Sequence, residues 1–82
     1  DASVNYYYDD GVFFVMTAQG EYVTIVPPAG AIVADLPDDY DIIEMDSEEY
    51  YLVDYTVYRI VVVEGRPYFE VLGQITDDTL FY

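Results

Sequence analysis

One β-hairpin pattern occurs twice in the chain, and this duplication constrains the fold more than any single segment does. Residues 6–26 and 51–72 align at a shift of about 45 when Gly20 is set against Gly65, with one extra residue at Pro67. Matching positions in the two copies are Tyr6 and Tyr51, Asp9 and Asp54, Val12 and Val57, Phe13 and Tyr58, Val15 and Ile60, Tyr22 and Tyr68, Val23 and Phe69, and Ile25 and Val71. Because repeated supersecondary units define an architecture, the sequence predicts two antiparallel ribbons.

The segments between turn residues predict short strands and no helix. Runs of Val, Ile, Tyr, Phe and Thr alternate with Gly, Pro and Asp clusters, which is typical of strands joined by tight turns. The predicted strands are 4–8, 12–17, 22–26, 30–34, 41–45, 49–53, 57–63 and 67–72, and residues 75–82 form one more short strand or a docked tail. This pattern of about 7–8 strands indicates an all-β fold, either a small SH3-like barrel or a two-sheet sandwich.

The length of 82 residues predicts a single all-β domain spanning residues 1–82. Within it we distinguish repeat 1 at about 6–26, an acidic connector at 27–50, repeat 2 at about 51–72 and a C-terminal tail at 73–82.

The second hairpin has a predicted register. A two-residue turn at 64–65 places Val63 opposite Arg66, as Gly-containing two-residue loops do. Counting inward pairs Arg59 with Glu70, an ion pair worth about 0.2–1 kcal/mol on an exposed face. The side chains predicted to face the core from this hairpin are Tyr58, Ile60, Val62, Phe69 and Val71.

The first hairpin follows the same logic. A three-residue loop at 18–20 sets its register, and the side chains predicted to face the core are Phe13, Val15, Val23 and Ile25. The opposite faces of the two hairpins carry Phe14, Met16 and Tyr22, and Val57, Val61, Tyr68 and Leu72. These faces are too apolar for open solvent, so the sequence predicts either that residues 30–50 cover them or that they meet a partner.

The charge balance is strongly acidic, and it excludes several partners. Seventeen Asp and Glu oppose two Arg and no Lys, for a net charge of −15. Such a surface repels nucleic-acid phosphates and anionic lipids, and no run approaches the roughly 20 apolar residues of a membrane helix. We therefore expect no nucleic-acid partner and no membrane insertion. Solubility of a Tyr- and Val-rich sheet and attraction of a cationic or calcium-bearing partner both remain as explanations of the acidity.

Missing residue types remove most catalytic and cofactor chemistry. The chain has no Cys and no His, so it cannot form disulfides, thiolate nucleophiles, Cys–His metal sites or a Ser-His-Asp triad. It has no Gly-rich phosphate loop and no Lys to reach a phosphate. Carboxylate pairs such as those of glycoside hydrolases are abundant, but no spacing selects one pair. We therefore expect no enzyme activity, no catalytic residue and no cofactor.

Two kinds of binding residue stand out. The acidic connector offers Asp38, Asp39, Asp41 and Asp46 as oxygen ligands for Ca²⁺, although their spacing lacks the central Gly and the frame of an EF-hand loop; a solvated acidic loop is the alternative. Tyr residues cluster at the start of each repeat and predict a stacking surface for sugars or peptides, against the alternative that Tyr simply favours half-buried strands. The tyrosines selected for ligand binding are Tyr7, Tyr50, Tyr51 and Tyr55.

Several spaced motifs carry a family resemblance. They are YYYDDGVFFV at 6–15, GEYVTIVPPAGAIV at 20–33, Leu36-Pro37 and EYY at 49–51. The pattern resembles small Tyr/Val/Gly-rich domains of unknown function in secreted and envelope proteins of Gram-negative bacteria. The Val-x-Pro-Pro-x-Gly-Ala segment and the Leu-Pro that follows are its most specific part. The chain departs from the family pattern at Tyr55-Thr56, which replaces Asn/Asp-Gly, so a different or wider turn is expected there.

The resemblance implies export and carries over no catalytic residue. We expect a periplasmic, cell-envelope or secreted location, with the signal peptide already removed. The predicted function is that of a non-enzymatic binding or structural module of an exported bacterial protein, with a calcium- or glycan-binding domain as the alternative. Protein or glycan partners fit this prediction, and exposed strand edges predict a homodimer.

Overall fold

The computed structural model describes residues 6–75 and contains eight strands and no helix in that range. Their bounds are β1 Tyr7–Asp9, β2 Val12–Met16, β3 Tyr22–Ile25, β4 Ile32–Val33, β5 Asp41–Met45, β6 Glu48–Val53, β7 Thr56–Val63 and β8 Arg66–Gln74. The predicted all-β class is confirmed. The predicted strand or tail at 75–82 falls almost entirely outside the described residues, as does the start of the first predicted strand.

Four two-residue turns connect neighbouring antiparallel strands, and most have the backbone of a tight hairpin. Both central residues have positive φ at 10–11, 46–47 and 64–65, the pattern of the type I′ turn that matches strand twist. The turn at 54–55 has the two-residue length of the others, so of the two expected alternatives, a different turn or a wider one, the different turn is found. Its conformation does differ, because Asp54 has a φ of 46° and Tyr55 is not in the positive-φ region.

The β2–β3 loop is the three-residue loop expected from the sequence. The Thr17 N–H donates to the Glu21 carbonyl oxygen at 2.7 Å, and the Thr17 side-chain oxygen accepts from the backbone N–H groups of Gln19 and Glu21. Gly20 adopts a φ of 84°, as the last residue of such a loop does.

The strands form two sheets. The three-stranded sheet has the order β1-β2-β3 and the five-stranded sheet the order β4-β8-β7-β6-β5, with every neighbouring pair antiparallel. The predicted register of the β7–β8 hairpin is confirmed, with Val63 opposite Arg66 and Ile60 opposite Phe69. The Arg59 Nε donates to the Glu70 carboxylate at 3.1 Å, which confirms the cross-strand ion pair.

The core lies between the two sheets. Phe13 enters it from the three-stranded sheet, and Val53, Tyr58 and Val71 enter from the five-stranded sheet. Residues around β4 complete the buried cluster with Ala31 and Val33. No strand closes the described sheets into a barrel, so of the two predicted architectures the two-sheet sandwich fits.

The prediction that all inward-facing hairpin residues are buried is wrong for the distal halves. Phe13, Ile25, Tyr58, Phe69 and Val71 belong to or pack against the core. By contrast, the exposed fractions are 46% for Ile60, 70% for Val62 and 46% for Val23. For Ile60 and Val62 the cause is the length of the β7–β8 ribbon. β6 pairs with β7 only over residues 56–58, and β4 pairs with β8 only over residues 69–70, so the ribbon runs past its neighbours.

The prediction that residues 30–50 cover the second face of each hairpin is also wrong for the three-stranded sheet. Residues 32–33 and 41–45 form the two edges of the five-stranded sheet. The outer face of the three-stranded sheet therefore keeps Tyr7, Met16 and Tyr22 exposed.

Like charges face each other directly on the β5–β6 hairpin. Glu44 lies opposite Glu49, and both side chains are exposed, an arrangement that destabilises an antiparallel pair. With a net charge of −15, self-repulsion weakens the fold at low ionic strength. We expect sodium chloride at roughly 0.3 M to raise the melting temperature by a few degrees, because the Debye length shrinks to about 6 Å. Thermal melts across a salt series test this. Glu44→Gln is the matched variant and should respond less, whereas a flat melting temperature in the wild type would contradict the expectation.

Candidate functional site

The four tyrosines selected from the sequence lie in four separate places. Tyr7 is on the outer face of the three-stranded sheet, and Tyr55 lies in the β6–β7 turn. Tyr50 and Tyr51 are neighbours on β6 and so point to opposite faces of the five-stranded sheet. Tyr51 faces inward, with its ring 5.3 Å from that of Phe69. The structure therefore brings no two of these four together as one stacking surface.

Tyr55 has the most site-like surroundings. Its exposed fraction is 67%, and the turn that carries it separates two surface depressions. We call this feature the Tyr55 ridge, meaning residues 53–55 with the depressions on either side. Both depressions are lined by all three of these residues. A concave surface with few polar groups around an aromatic ring is a common form of ligand site.

One depression, of about 220 Å³, opens between the two sheets. Its wall is apolar where Phe13, Ile25 and Pro27 line it. Thr56 and Gln74 provide polar groups, and the Gln74 side-chain amide donates to the Thr56 hydroxyl oxygen at 2.8 Å.

The other depression, of about 300 Å³, is acidic. Asp39, Asp41 and Asp54 line it together with Leu52 and Tyr55. Asp54 has the positive φ of 46° noted above, a backbone conformation that few non-glycine residues adopt and that Asp tolerates better than most. The two depressions thus offer one exposed ring, hydrogen-bond acceptors on one side and an apolar wall on the other.

A second aromatic surface covers the three-stranded sheet. The rings of Tyr7 and Phe14 stack at a centroid distance of 5.8 Å, and Tyr22 meets both edge-on at 5.7 and 5.3 Å. Such geometries are favourable for aromatic pairs. The alternation of the first hairpin groups Phe14 with Tyr22 but does not indicate that they bind a ligand. The signal that joins them to Tyr7 is the β1–β2 register, which pairs Tyr7 with Phe14.

Two inward-facing tyrosine hydroxyls have raised pKa values for different local reasons. The Tyr8 hydroxyl donates to the Asp35 carbonyl oxygen at 2.7 Å. Burial raises the pKa of Tyr8, the nearby acids Asp35, Asp10 and Asp9 raise it further, and a backbone hydrogen bond from Gly11 opposes them. Burial, with a smaller contribution from Tyr8, raises the pKa of Tyr58 strongly. The Tyr58 hydroxyl is buried and has no hydrogen-bond partner within residues 6–75.

The calcium candidates are only partly brought together. Asp39 and Asp41 line the acidic depression, whereas Asp46 lies in the β5–β6 turn and Asp38 lies in the turn before β5. Across the described part of the chain, no three acidic side chains are grouped closely enough to hold a metal ion. Calcium binding stays a prediction for which this geometry provides no argument. The same residues contain no helix long and apolar enough to cross a membrane.

Comparison with known proteins identifies a family. The model of DUF6515, a family of unknown function, matches residues 1–75, which includes every strand described above. Comparisons with curated proteins and with solved structures find no match. The match covers both hairpins and the acidic connector, and it agrees with the resemblance to a domain of unknown function. The chain belongs to the DUF6515 family.

Proposed function

We propose that the chain is a non-enzymatic binding module of an exported protein, and that the Tyr55 ridge binds a carbohydrate. The observation that carries the proposal is the exposed Tyr55 ring between two depressions, one apolar and one acidic. The other three tyrosines selected from the sequence line neither depression.

Carbohydrate chemistry fits this arrangement better than other small-ligand chemistry. The apolar C–H face of a sugar ring packs on an exposed aromatic ring. Sugar hydroxyls donate well to carboxylate oxygens, because hydrogen bonds to charged acceptors are short and strong. Asp39, Asp41 and Asp54 supply such acceptors beside Tyr55. The net charge of −15 disfavours anionic sugars, so the proposed ligand is a neutral or amino sugar.

A binding role also agrees with the residue types present. The chain lacks His, Cys and Lys, which removes imidazole, thiolate and amine groups as bases and nucleophiles. The Tyr55 ridge offers carboxylate hydrogen-bond acceptors and an aromatic ring, which are groups that suit ligand recognition. The proposal of export is supported by the resemblance given under Sequence analysis, and fractionation of the source cells tests it. Finding the untagged protein only in the cytoplasmic fraction would contradict the proposal of export.

Tyr55→Ala is expected to weaken glycan binding about tenfold, because an aromatic contact contributes about 0.5–1.5 kcal/mol beyond its buried area. A glycan array identifies the ligand, and titration calorimetry then measures the affinity. Tyr7→Ala is the matched control, since it removes an exposed ring from the outer face of the other sheet and should leave affinity unchanged.

The reverse result, with affinity lost in Tyr7→Ala and kept in Tyr55→Ala, would move the site to the aromatic outer face. Absence of any glycan binding by the wild type would end the carbohydrate proposal. Running the titrations with EDTA and with millimolar calcium also tests the acidic depression, because dependence on calcium would show that its carboxylates act through the ion.

A further inference from the structure

One stretch of this acidic chain is almost free of charge. Between Gly11 and Ala34 the single charged residue is Glu21. This stretch includes all of β2 and β3, whereas the acids concentrate in the connector and the five-stranded sheet. Two copies of the molecule repel each other across most of their surfaces. The two copies repel each other least where the β2–β3 hairpin of one copy faces the β2–β3 hairpin of the other.

The open edge of β3 lies in this uncharged stretch. β3 pairs only with β2 among the described strands. The Thr17 N–H donates to the Glu21 carbonyl oxygen, so these two residues form a hydrogen-bonded pair of the β2–β3 ladder. Hydrogen-bonded and non-hydrogen-bonded pairs alternate along an antiparallel ladder, so the N–H and C=O groups of Tyr22 and Thr24 point toward the open side. Natural edge strands are usually protected by charges, Pro or bulges. The strand itself, Tyr22–Ile25, contains none of these, and the exposed fraction of Tyr22 is 60%. Glu21 precedes the strand and Pro27 follows Val26, so pairing along this edge is limited to residues 22–26.

We propose that a second copy of this chain pairs antiparallel along β3, with Thr24 next to its own counterpart at a two-fold axis. This register keeps outer-face residues opposite outer-face residues, places Tyr22 opposite the partner's Val26, and forms a continuous six-stranded sheet. It is an isologous contact, in which the same surface serves both subunits. The two Glu21 side chains are about 20 Å apart along the strands, well beyond the Debye length at physiological salt.

The other open edges suit a second copy less well. β1 carries Asp9 and is followed by Asp10, and β5 carries Asp41 and Glu44. Self-pairing along either edge brings carboxylates of the two copies close together. β4 has only two residues, which is too short an edge to hold a second copy. Charge therefore selects β3 among the edges of the described strands.

The natural absence of Cys makes a cross-linking test direct. In the proposed register the two Thr24 Cα atoms lie about 5.5 Å apart, within the range of roughly 4.4–6.8 Å that a disulfide spans. Thr24→Cys should form a covalent dimer on mild oxidation, at least about tenfold faster than Ile42→Cys on the β5 edge. Like Ile42→Cys, Tyr22→Cys should cross-link slowly, because the two residues 22 of the dimer lie about 14 Å apart along the strands.

Sedimentation of the unmodified chain provides the second measurement. We expect a dimer at about 100 μM that dissociates more readily at low salt, where the net charges repel. Thr24→Glu should shift it to monomer by placing two carboxylates at the axis, whereas Thr24→Val and Ile42→Glu should leave it dimeric. A monomer at every salt concentration, or Thr24→Cys cross-linking no faster than Ile42→Cys, would overturn the proposal.

Discussion

Gly11→Ala is expected to lower the free energy of unfolding by about 2–5 kcal/mol, a large fraction of what a domain of this size has. Gly11 has a φ of 92°, where a Cβ atom is strained by about 1–2 kcal/mol. An added Cβ would also lie 2.8 Å from the Pro37 Cγ and 3.4 Å from the Val53 Cγ1. Because the proline ring is fixed to its own backbone, relieving this overlap must move the chain, and overpacking typically adds about 1–3 kcal/mol.

Gly65→Ala is the matched control for this effect. Its φ of 81° is similar, yet no heavy atom lies within 4 Å of an added Cβ. We expect only the backbone strain there, about 1–2 kcal/mol. Urea unfolding of the two variants, with the difference in midpoint converted through a common slope, isolates the contact with Pro37. Equal losses in both variants would show that the turn at 10–11 does not pack against the 36–37 segment.

Tyr58→Phe is expected to stabilise the protein by about 1–3 kcal/mol. Tyr58 has an exposed fraction of 0% and lies in the centre of the core, but its hydroxyl is unpartnered within the described residues. Leaving a buried donor unsatisfied costs about that much, and phenylalanine keeps the ring. For a domain of this size, each 1 kcal/mol shifts the melting temperature by about 4–8 °C.

Tyr58→Ala should act in the opposite direction and lower stability by about 3–5 kcal/mol, because it leaves a ring-sized cavity. The pair of variants thus separates the ring from its hydroxyl. A loss of stability in Tyr58→Phe would mean that the hydroxyl has a partner that stabilises the fold.

Alkaline unfolding provides an independent check of the Tyr58 environment. Because burial raises its pKa above the usual 10, the folded state keeps Tyr58 protonated while the unfolded state ionises. The stability from this difference is complete below pH 10 and is lost as pH rises above it, by about 1.4 kcal/mol per pH unit. Tyr58→Phe should therefore unfold at higher pH than wild type. Tyrosinate absorbance and circular dichroism measure the two events.

Local patterns in the sequence predict the strands and registers well. Alternation and turn residues locate every strand of the described range to within two residues at each end, apart from β1, which begins three residues later than predicted. The Glu64-Gly65 and 18–20 loops set both hairpin registers, down to the Arg59–Glu70 ion pair. These features depend on neighbours in sequence, which is why periodicity and turn chemistry suffice.

Features that depend on contacts distant in sequence were not predictable. Alternation identifies the inner face of a strand but not how far the opposing sheet extends, so it predicts Ile60 and Val62 in the core although they project beyond it. The Tyr55 ridge depends on the 39–41 segment reaching the β6–β7 turn. Packing of Gly11 against Pro37 likewise joins two motifs that the sequence shows only as separate elements.

Because the tip of the β7–β8 ribbon extends beyond the neighbouring strands, sequence changes in the tip affect the protein differently from changes in the core. Among residues 6–75, residues 62–67 make ladder bonds only within their own hairpin, so opening them leaves the core intact. Exchange of these amides with solvent therefore reports fraying of the tip and not the loss of the fold. The Glu64-Gly65 turn is consequently a natural insertion point for a tag or a grafted peptide, because lengthening an exposed loop adds little free energy.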